Sequence, residues 1–289
     1  MQVLGFTDYR AQGEALAAAL AVPFTLIEVH RFPDGESKVT VPGPLEGEVI
    51  LCRSLDHPND KLIELLLAAT TARELGAEKL TLVAPYLCYM RQDIAFHPGE
   101  AVSQRIVGGW LAELFERVIT VDPHLHRIDR LEQAIPGREA IALAATQPMG
   151  AFLAAKTRSP LLVGPDDESE QWVRAIAEPA GLNYIIAHKE RRGDRDVVVT
   201  LPECDYRDHE VILLDDMIST GHTIGDVTQK LKQAGAGTIY CLVTHALFPT
   251  EVATLLYKAG VERIWSSDSV SHSTNAVHLA ELLAAAIRE

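Results

Sequence analysis

The residues best suited to chemistry in this chain lie between positions 211 and 223. Two adjacent carboxylates, Asp215 and Asp216, follow a short apolar run, and small polar groups come next, at Ser219, Thr220, Gly221, His222 and Thr223. Hydroxyls and closely spaced backbone N–H groups at the start of a helix suit a phosphate. Carboxylates repel phosphate but bind sugar hydroxyls or a cation beside it. The pattern therefore predicts a phosphate site next to a sugar or cation site.

An apolar strand and an amphipathic helix flank these residues. Residues 211–214, Val-Ile-Leu-Leu, are typical of a parallel strand buried on both faces. After the loop, apolar residues recur at helical spacing, at Ile224, Val227, Leu231 and Ala234. The alternative is that Ser219 or Thr223 only caps this helix. A ligand site is favoured because open α/β sheets place their ligand crevices where such strands end.

Three further polar groups also follow predicted strands. They are Arg91-Gln92-Asp93 after residues 80–84, His124 and His126 after residues 118–121, and Pro165-Asp166-Asp167-Glu168 after residues 161–164. The first is also consistent with a surface turn containing an internal ion pair, and the second with hydrogen-bonded structural histidines. The third is costly unless water or a cation such as Mg2+ neutralises the carboxylates.

A basic stretch stands out in this acidic chain. Residues 188–195 include Lys189 and Arg191 among several cations. Such runs are usually solvated faces, but this one also offers the local counter-charge for a polyphosphate. Near the N-terminus, Pro33-Asp34-Gly35 lies between two strand-like runs and predicts a β-hairpin, with Phe32 and Glu36 at its tip. Taken alone, Phe32 is more consistent with loop packing than with a ligand site.

Strands and helices alternate along the whole chain, which favours two domains with mainly parallel sheets flanked by helices. We place the domains at residues 1–146 and 147–289. Further strands are predicted at residues 3–6, 26–30, 49–52, 184–187 and 239–243, and helices at 14–20, 101–115 and from Asn59-Asp60 to Gly76. A weak likeness between residues 75–83 and 234–243 hints at duplication, although helix–Gly–Ala–strand is common in α/β proteins.

Composition narrows the class of protein. The 289 residues are 47% hydrophobic and 23% charged, with a formal net charge of −14. This balance fits a globular protein and argues against binding to nucleic acid or an anionic membrane, although an anionic substrate stays possible with a cation. The sequence contains neither a P-loop motif nor a GxGxxG motif after a strand.

The cysteines and the N-terminus indicate the compartment. Cys52, Cys88, Cys204 and Cys241 are scattered, mostly in apolar contexts, which favours buried thiols over disulfides or a zinc site. The chain shows no signal-peptide pattern and no apolar run of membrane-spanning length. We therefore expect a cytoplasmic enzyme.

Six motifs in order resemble the ribose-phosphate pyrophosphokinase (phosphoribosyl pyrophosphate synthetase) family over nearly the whole chain. They are residues 32–36 (FPDGE), Asn59-Asp60, residues 91–93 (RQD), Asp122-Pro123-His124, residues 188–191 (HKER) and residues 215–223, with a shorter match at Pro165-Asp166. The resemblance implies two phosphoribosyltransferase-like domains: an N-terminal ATP side and a C-terminal ribose 5-phosphate side. It also implies the reaction of ATP with ribose 5-phosphate to give 5-phosphoribosyl 1-diphosphate and AMP, with Mg2+ as cofactor.

The resemblance also implies roles for individual residues. Ser219, Thr220, Gly221, His222 and Thr223 would hold the 5-phosphate, and Asp215 and Asp216 the ribose hydroxyls. ATP would contact Phe32, Asp34, Glu36, Arg91, Gln92 and Asp93, with Phe32 stacking on adenine. His124 and Asp166 would lie near Mg2+, and Lys189 and Arg191 would stabilise the transferred group. In the family the loop 32–36 reaches a neighbouring subunit's site, so a homo-oligomer of at least two subunits is expected.

Some residues depart from the family pattern. Asp167 and Glu168 replace small residues, and Ile94 follows the RQD motif where a basic residue is common. Gly221-His222 replaces the pairing found in many bacterial and animal members, and this Ser-Thr-Gly form is more similar to the shorter archaeal type or to phosphoribosyltransferases. Two alternatives to the synthetase stay open: a phosphoribosyltransferase, which has no reason to carry residues 32–36, and a non-catalytic regulatory subunit, which could lose the basic stretch or the metal residues.

Overall fold

The computed structural model describes residues 1–191 and 197–289, and the side chains of residues 189–191, 197 and 198 lie outside this description. Contacts divide the chain into two compact units. The first contains residues 1–144, 269–271 and 279–289, and the second contains residues 145–268 and 272–278. The sequence did not anticipate that residues 279–289 belong to the first unit.

The strands, in chain order, are β1 (Gln2–Phe6), β2 (Phe24–Arg31), β3 (Ser37–Thr40), β4 (Glu48–Cys52), β5 (Lys79–Val83), β6 (Arg117–Val121), β7 (Glu139–Leu143), β8 (Leu161–Gly164), β9 (Tyr184–Ile186), β10 (His188–Arg191), β11 (Val197–Thr200), β12 (Val211–Ile218), β13 (Ile239–Ala246), β14 (Val261–Ser267) and β15 (Asn275–Val277). The α-helices are α1 (Arg10–Leu20), α2 (Pro58–Glu74), α3 (Ser103–Leu114), α4 (Thr146–Lys156), α5 (Glu170–Ala180), α6 (His222–Gln233), α7 (Thr250–Ala259) and α8 (Ala280–Arg288).

A seven-stranded sheet forms the centre of the first unit, in the order β3-β2-β1-β4-β5-β6-β7. All neighbouring strands are parallel except β2 and β3, which form the predicted hairpin. The central strand β4 is buried from Val49 to Cys52, as expected for a parallel strand whose two faces are both covered. The carboxyl ends of these strands therefore meet at one edge, where polar loops collect.

The helix α8 completes the first unit. Its apolar face, at Leu283, Ala284, Ala286 and Ile287, is buried, and the helix packs on α1 and β7. The buried Arg117 of β6 donates a hydrogen bond of 3.1 Å from Nη1 to the carbonyl oxygen of Ile287. Burial of this amphipathic face explains why residues 279–289 group with the first unit.

The second unit has a six-stranded parallel sheet, in the order β15-β14-β13-β12-β8-β9. A separate antiparallel pair joins β10 to β11. Strand β12 runs beyond the expected end at Leu214, because residues up to Ile218 continue to pair with β13. Asp215 and Asp216 therefore lie within the strand, not after it. The helix α6 buries Ile224, Val227 and Leu231, as predicted.

Two details of α2 differ from the prediction. The N-cap is His57, in the left-handed region at φ 47°, so Asn59 and Asp60 lie in the first turn and do not cap the helix. Ile63, expected in the apolar stripe, is 54% exposed, whereas Glu64 is buried. Helices α1 and α3 start at Arg10 and Ser103, within a few residues of their predicted starts.

Within the described ranges, no helix is both long and apolar enough to cross a membrane. Three of the cysteines, Cys52, Cys88 and Cys241, are buried as expected, whereas Cys204 is exposed. Burial raises the pKa of Cys88 to about 12. These three side chains therefore act as core-filling groups.

Candidate functional site

The loop of residues 219–223, which we call the hydroxyl loop, joins β12 to α6. Gly221 is the N-cap of α6, with φ 73°. The alternative that Ser219 or Thr223 caps this helix is therefore wrong. The first turn of a helix leaves N–H groups without partners inside the helix, and these groups favour an anion. The hydroxyl loop therefore has the form of an anion-binding turn, with exposed hydroxyls at Ser219 and Thr220.

Gly221 is required by both conformation and packing. Its φ lies in the left-handed region, which costs a residue with a side chain about 1–2 kcal/mol. A Cβ at this position would lie 2.6 Å from Cγ1 of Val252 and 3.5 Å from two atoms of Leu256. Both neighbours belong to α7. The backbone of the hydroxyl loop therefore lies directly on α7, which fixes the direction of its N–H groups.

Three carboxylates lie beside the hydroxyl loop in the second unit. Asp215 is partly buried and Asp216 is buried on β12, and Asp216 donates its backbone N–H to Oδ1 of Asp215 over 2.9 Å. Burial, together with the negative charges of Asp216 and Asp166, raises the pKa of Asp215 well above its usual value. Crowded carboxylates with this property fit a hard divalent cation, which prefers oxygen ligands.

Asp166 is positioned by the turn that follows β8. The buried Ser169 donates its hydroxyl to the carbonyl oxygen of Asp166 over 2.5 Å. A Cβ on Gly164 would lie 2.3 Å from Oγ of Ser169, so the turn needs glycine at the strand end. The neighbouring Asp167 contacts Nδ1 of His188 at 2.8 Å, and both side chains are exposed. The unusual carboxylate of Asp167 therefore pairs with the start of β10.

The loop of residues 32–36, which we call the hairpin loop, joins β2 to β3 in the first unit. Phe32 is 42% exposed and packs edge-on against His30, with ring centroids 4.9 Å apart. Oδ1 of Asp34 accepts the N–H of Glu36 over 3.2 Å. A groove of about 510 Å³ beside the loop is lined by Asp34, Gly35, Glu36, Ser37, Asp60, Ile63 and Leu67. Phe32 lines a separate groove, together with His30 and Lys38. An exposed aromatic ring, and acceptors on the same loop, suit a nucleobase.

The segment 91–93 follows β5 in the first unit. Arg91 is exposed and Gln92 is partly buried, whereas the side chain of Asp93 is only 2% exposed and pairs with Arg127 at 2.7 Å. The ion pair of Asp93 therefore joins the segment to a distant residue and is not the internal pair of a surface turn. Gln104, which the sequence did not single out, is buried and holds the segment: its N–H donates to the carbonyl of Gln92 over 3.2 Å.

Comparison with known proteins agrees with this geometry. A model of the N-terminal domain of ribose phosphate pyrophosphokinase matches residues 1–115, and a phosphoribosyl transferase domain model matches residues 139–258. A ribose-phosphate pyrophosphokinase of Methanopyrus kandleri is 34% identical over 99% of this chain and 98% of its own. The chain belongs to the ribose-phosphate pyrophosphokinase family. A second member, from Saccharolobus solfataricus, is 31% identical over 94% of each chain.

The fold of this ribose-phosphate pyrophosphokinase family member also matches a solved structure. The phosphoribosylpyrophosphate synthetase from Mycobacterium smegmatis superposes with a TM-score of 0.84 over 99% of this chain and 97% of its own, at 21% identity. The expected pair of phosphoribosyltransferase-like domains is therefore confirmed. Family membership implies a metal-dependent reaction with ATP.

The structure places the expected site residues as follows. In the second unit, Asp166, Asp215 and Asp216 and the hydroxyl loop are brought together at the ends of β8 and β12. In the first unit, the ring of His124 packs edge-on against His126, with centroids 4.1 Å apart. The backbone of Lys189 and Arg191 is in β10, but their side chains lie outside the described residues. Their role stays a prediction.

Proposed function

We propose that this chain is a ribose-phosphate diphosphokinase. It transfers the β,γ-diphosphoryl group of ATP to the C1 hydroxyl of ribose 5-phosphate and gives phosphoribosyl diphosphate and AMP. The observation that carries the proposal is the hydroxyl loop: a glycine-capped helix start beside buried carboxylates on the preceding strand. A sugar phosphate needs both of these groups, one for its phosphate and the other for its hydroxyls.

The residues of this chain mainly bind and position the reactants. We assign the 5-phosphate to the hydroxyl loop, the ribose hydroxyls to Asp215 and Asp216, and the nucleotide to the hairpin loop with Arg91 and Gln92. The sugar hydroxyl attacks the β-phosphorus in line, and AMP leaves. Transfers of this type depend on alignment and charge neutralisation more than on covalent chemistry. Lys189 and Arg191 are assigned to the developing charge on the transferred group.

We assign the metal to Mg2+, held in the second unit by the carboxylate of Asp166. The role expected for His124 as a metal ligand stays a prediction from the sequence. The raised pKa of Asp215 supports a cation beside Asp166, because burial and the two neighbouring carboxylates oppose its ionisation. When bound, Mg2+ neutralises phosphate charge. We also propose a homo-oligomer of at least two subunits, in which the hairpin loop of one serves the nucleotide site of another. The cytoplasmic location stays a prediction from the sequence.

The test is an assay of AMP release from ATP with and without ribose 5-phosphate and Mg2+. We expect AMP only when both are present, and phosphoribosyl diphosphate in equal amount. ATP hydrolysis that is indifferent to the sugar would contradict the proposal. Light scattering of the purified protein tests the oligomer, and a monomer at assay concentrations would remove the shared site.

A further inference from the structure

A buried carboxylate on α2 contacts both ends of the hairpin loop. Glu64 is 1% exposed. Its Oε1 accepts hydrogen bonds from Nη2 of Arg31 over 3.2 Å and from Oγ of Ser37 over 3.0 Å. Arg31 is the last residue of β2 and Ser37 the first of β3, and the two are partners across the hairpin. One carboxylate oxygen therefore joins the two residues that bracket the loop.

The other carboxylate oxygen of Glu64 contacts a buried arginine. Its Oε2 lies 2.7 Å from Nη2 of Arg53, whose side chain is 5% exposed. This contact is an ion pair whose angles do not make a hydrogen bond. Arg53 also pairs with Asp8 at 3.1 Å and lies over the ring of Phe6 at 4.1 Å. The carboxylate of Glu64 is thus fixed to the end of the central strand β4.

The buried carboxylate of Glu64 is held firmly in place, because breaking either of its ion pairs would cost free energy. Removing one member of a buried ion pair is strongly destabilising, because it leaves the other charge buried without a partner. Arg31 makes a second contact to α2, at 3.0 Å from Asp60. The loop itself is closed by two backbone bonds, Phe32 N to Glu36 O at 2.8 Å and Gly35 N to Phe32 O at 3.0 Å. Fixing the two ends therefore fixes Phe32, Asp34 and Glu36 together.

From this geometry we infer that Glu64 is a positioning residue for nucleotide binding: it holds the hairpin loop in its binding conformation through Arg31 and Ser37. The inference rests on the proposed function, in which this loop binds ATP. Glu64 does not touch the reactants in this role. Because the contacts of Glu64 order the loop before the nucleotide arrives, binding loses less conformational entropy.

The test compares Glu64→Gln with Glu116→Gln in the full-length protein. Glu116 also pairs with an arginine of α2, Arg73, at 2.6 Å, but it lies next to the start of β6, away from the hairpin loop in sequence and strand order. Hydrogen exchange of residues 32–37 in the ligand-free protein measures the loop directly. Steady-state kinetics measures KM for ATP and for ribose 5-phosphate separately.

For Glu64→Gln we expect faster exchange in residues 32–37 and a KM for ATP raised about tenfold, the scale of one lost charge-assisted hydrogen bond. KM for ribose 5-phosphate and kcat should change less than about twofold, a split that general destabilisation does not produce. Glu116→Gln should lower thermal stability without changing either KM. Unchanged exchange in Glu64→Gln, or an equal rise of both KM values, overturns the inference.

A second variant keeps the test decisive if Glu64→Gln does not fold. Ser37→Ala leaves the Arg53 pair intact and should raise KM for ATP about threefold to fivefold. The double variant should be no worse than Glu64→Gln alone, because both changes act through one contact; additive effects overturn the inference. Faster exchange with an unchanged KM for ATP also overturns it. Absence of AMP release from the wild type, in contrast, removes the proposed function while the exchange result still stands.

Discussion

The hairpin loop and the hydroxyl loop are stabilised in opposite ways. The hairpin loop is held by side chains of opposite charge, because Arg31 and Arg53 surround the buried carboxylate of Glu64. The hydroxyl loop is held by backbone geometry at Gly221, and three carboxylates, those of Asp166, Asp215 and Asp216, crowd together beside it. In the first region the buried carboxylate is fixed by ion pairs within the protein. In the second region, burial and the two neighbouring carboxylates oppose the ionisation of Asp215, and a cation bound there would favour its charged form.

The largest effect is expected from a residue in neither loop. Lys189→Ala should lower kcat by a factor on the order of 10³, the scale for groups aimed at developing charge. Steady-state AMP release measures it, with the exposed Lys258→Ala as a matched control that should be near normal. Near-normal turnover of Lys189→Ala would mean that the two loops themselves supply the catalysis, and the contrast between binding loops and a catalytic lysine would fail.

Gly221→Ala tests the backbone support of the hydroxyl loop. Left-handed strain and the overlap with Val252 together cost about 2–5 kcal/mol, so KM for ribose 5-phosphate should rise roughly a hundredfold. KM for ATP should stay unchanged in the same assays. Adding Val252→Ala should recover part of the loss, since the Cβ would no longer meet Cγ1 of Val252.

The matched change in the other loop is Gly35→Ala. Gly35 also has a positive φ, of 95°, but among the described residues no heavy atom lies within 4 Å of a Cβ built there. Only the strain remains, about 1–2 kcal/mol, so KM for ATP should rise by about fivefold to thirtyfold, less than the change expected at Gly221. Equal effects at Gly221 and Gly35 would show that packing on α7 does not matter.

Asp215→Asn tests the crowding of carboxylates in the second unit. Because the folded-state pKa of Asp215 is raised, wild-type stability should fall as pH rises from about 4 through that pKa. In chelator at about pH 8, the variant should therefore melt on the order of a few degrees higher than the wild type, while losing activity. Thermal melts between about pH 4 and pH 8 measure this difference. A melting temperature of the variant below that of the wild type near pH 8 contradicts the prediction.

Asp8→Asn should change the melting temperature in the opposite direction, and by the smallest amount of these variants. Burial raises the pKa of Asp8, but the charges of Arg53 and Lys61 outweigh it and leave the pKa below its usual value. Its stabilisation is therefore present above about pH 4 and is lost as pH falls through the folded-state pKa. The side chain is 36% exposed, so the variant should melt only on the order of one degree lower near neutral pH. A higher melting temperature for Asp8→Asn near neutral pH would contradict the expected difference between Asp8 and Asp215.

Local patterns were the predictable part of this molecule. The hairpin was visible because Pro33-Asp34-Gly35 is turn chemistry that needs no partner. The apolar runs of β4 and β12 located the two sheets. The extension of β12 through Asp215 and Asp216 was not visible, since aspartate is disfavoured in strands and only pairing with β13 overrides that preference.

Contacts between distant residues were the unpredictable part. Glu64 appears as a polar residue in an amphipathic helix, and only the fold brings Arg31 and Arg53 to it. The pairing of Asp93 with Arg127 was likewise invisible, because it joins two loops 34 residues apart. The roles proposed for the site residues rest on family likeness and placement, and the variants above test several of them.

The position of α8 has a consequence for how the chain is made. Proteins fold as they leave the ribosome, N-terminal domains first, at about 5–20 residues per second. The first unit here cannot be completed in that order, because its last helix is synthesised after the whole second unit. During synthesis, α8 is absent for on the order of ten seconds. For that time the surfaces of α1 and β7 that pack on α8 stay uncovered, and Arg117 lacks its hydrogen bond to α8. Until α8 arrives, the nascent first unit therefore exposes apolar surface that the folded protein buries, and such surface favours aggregation.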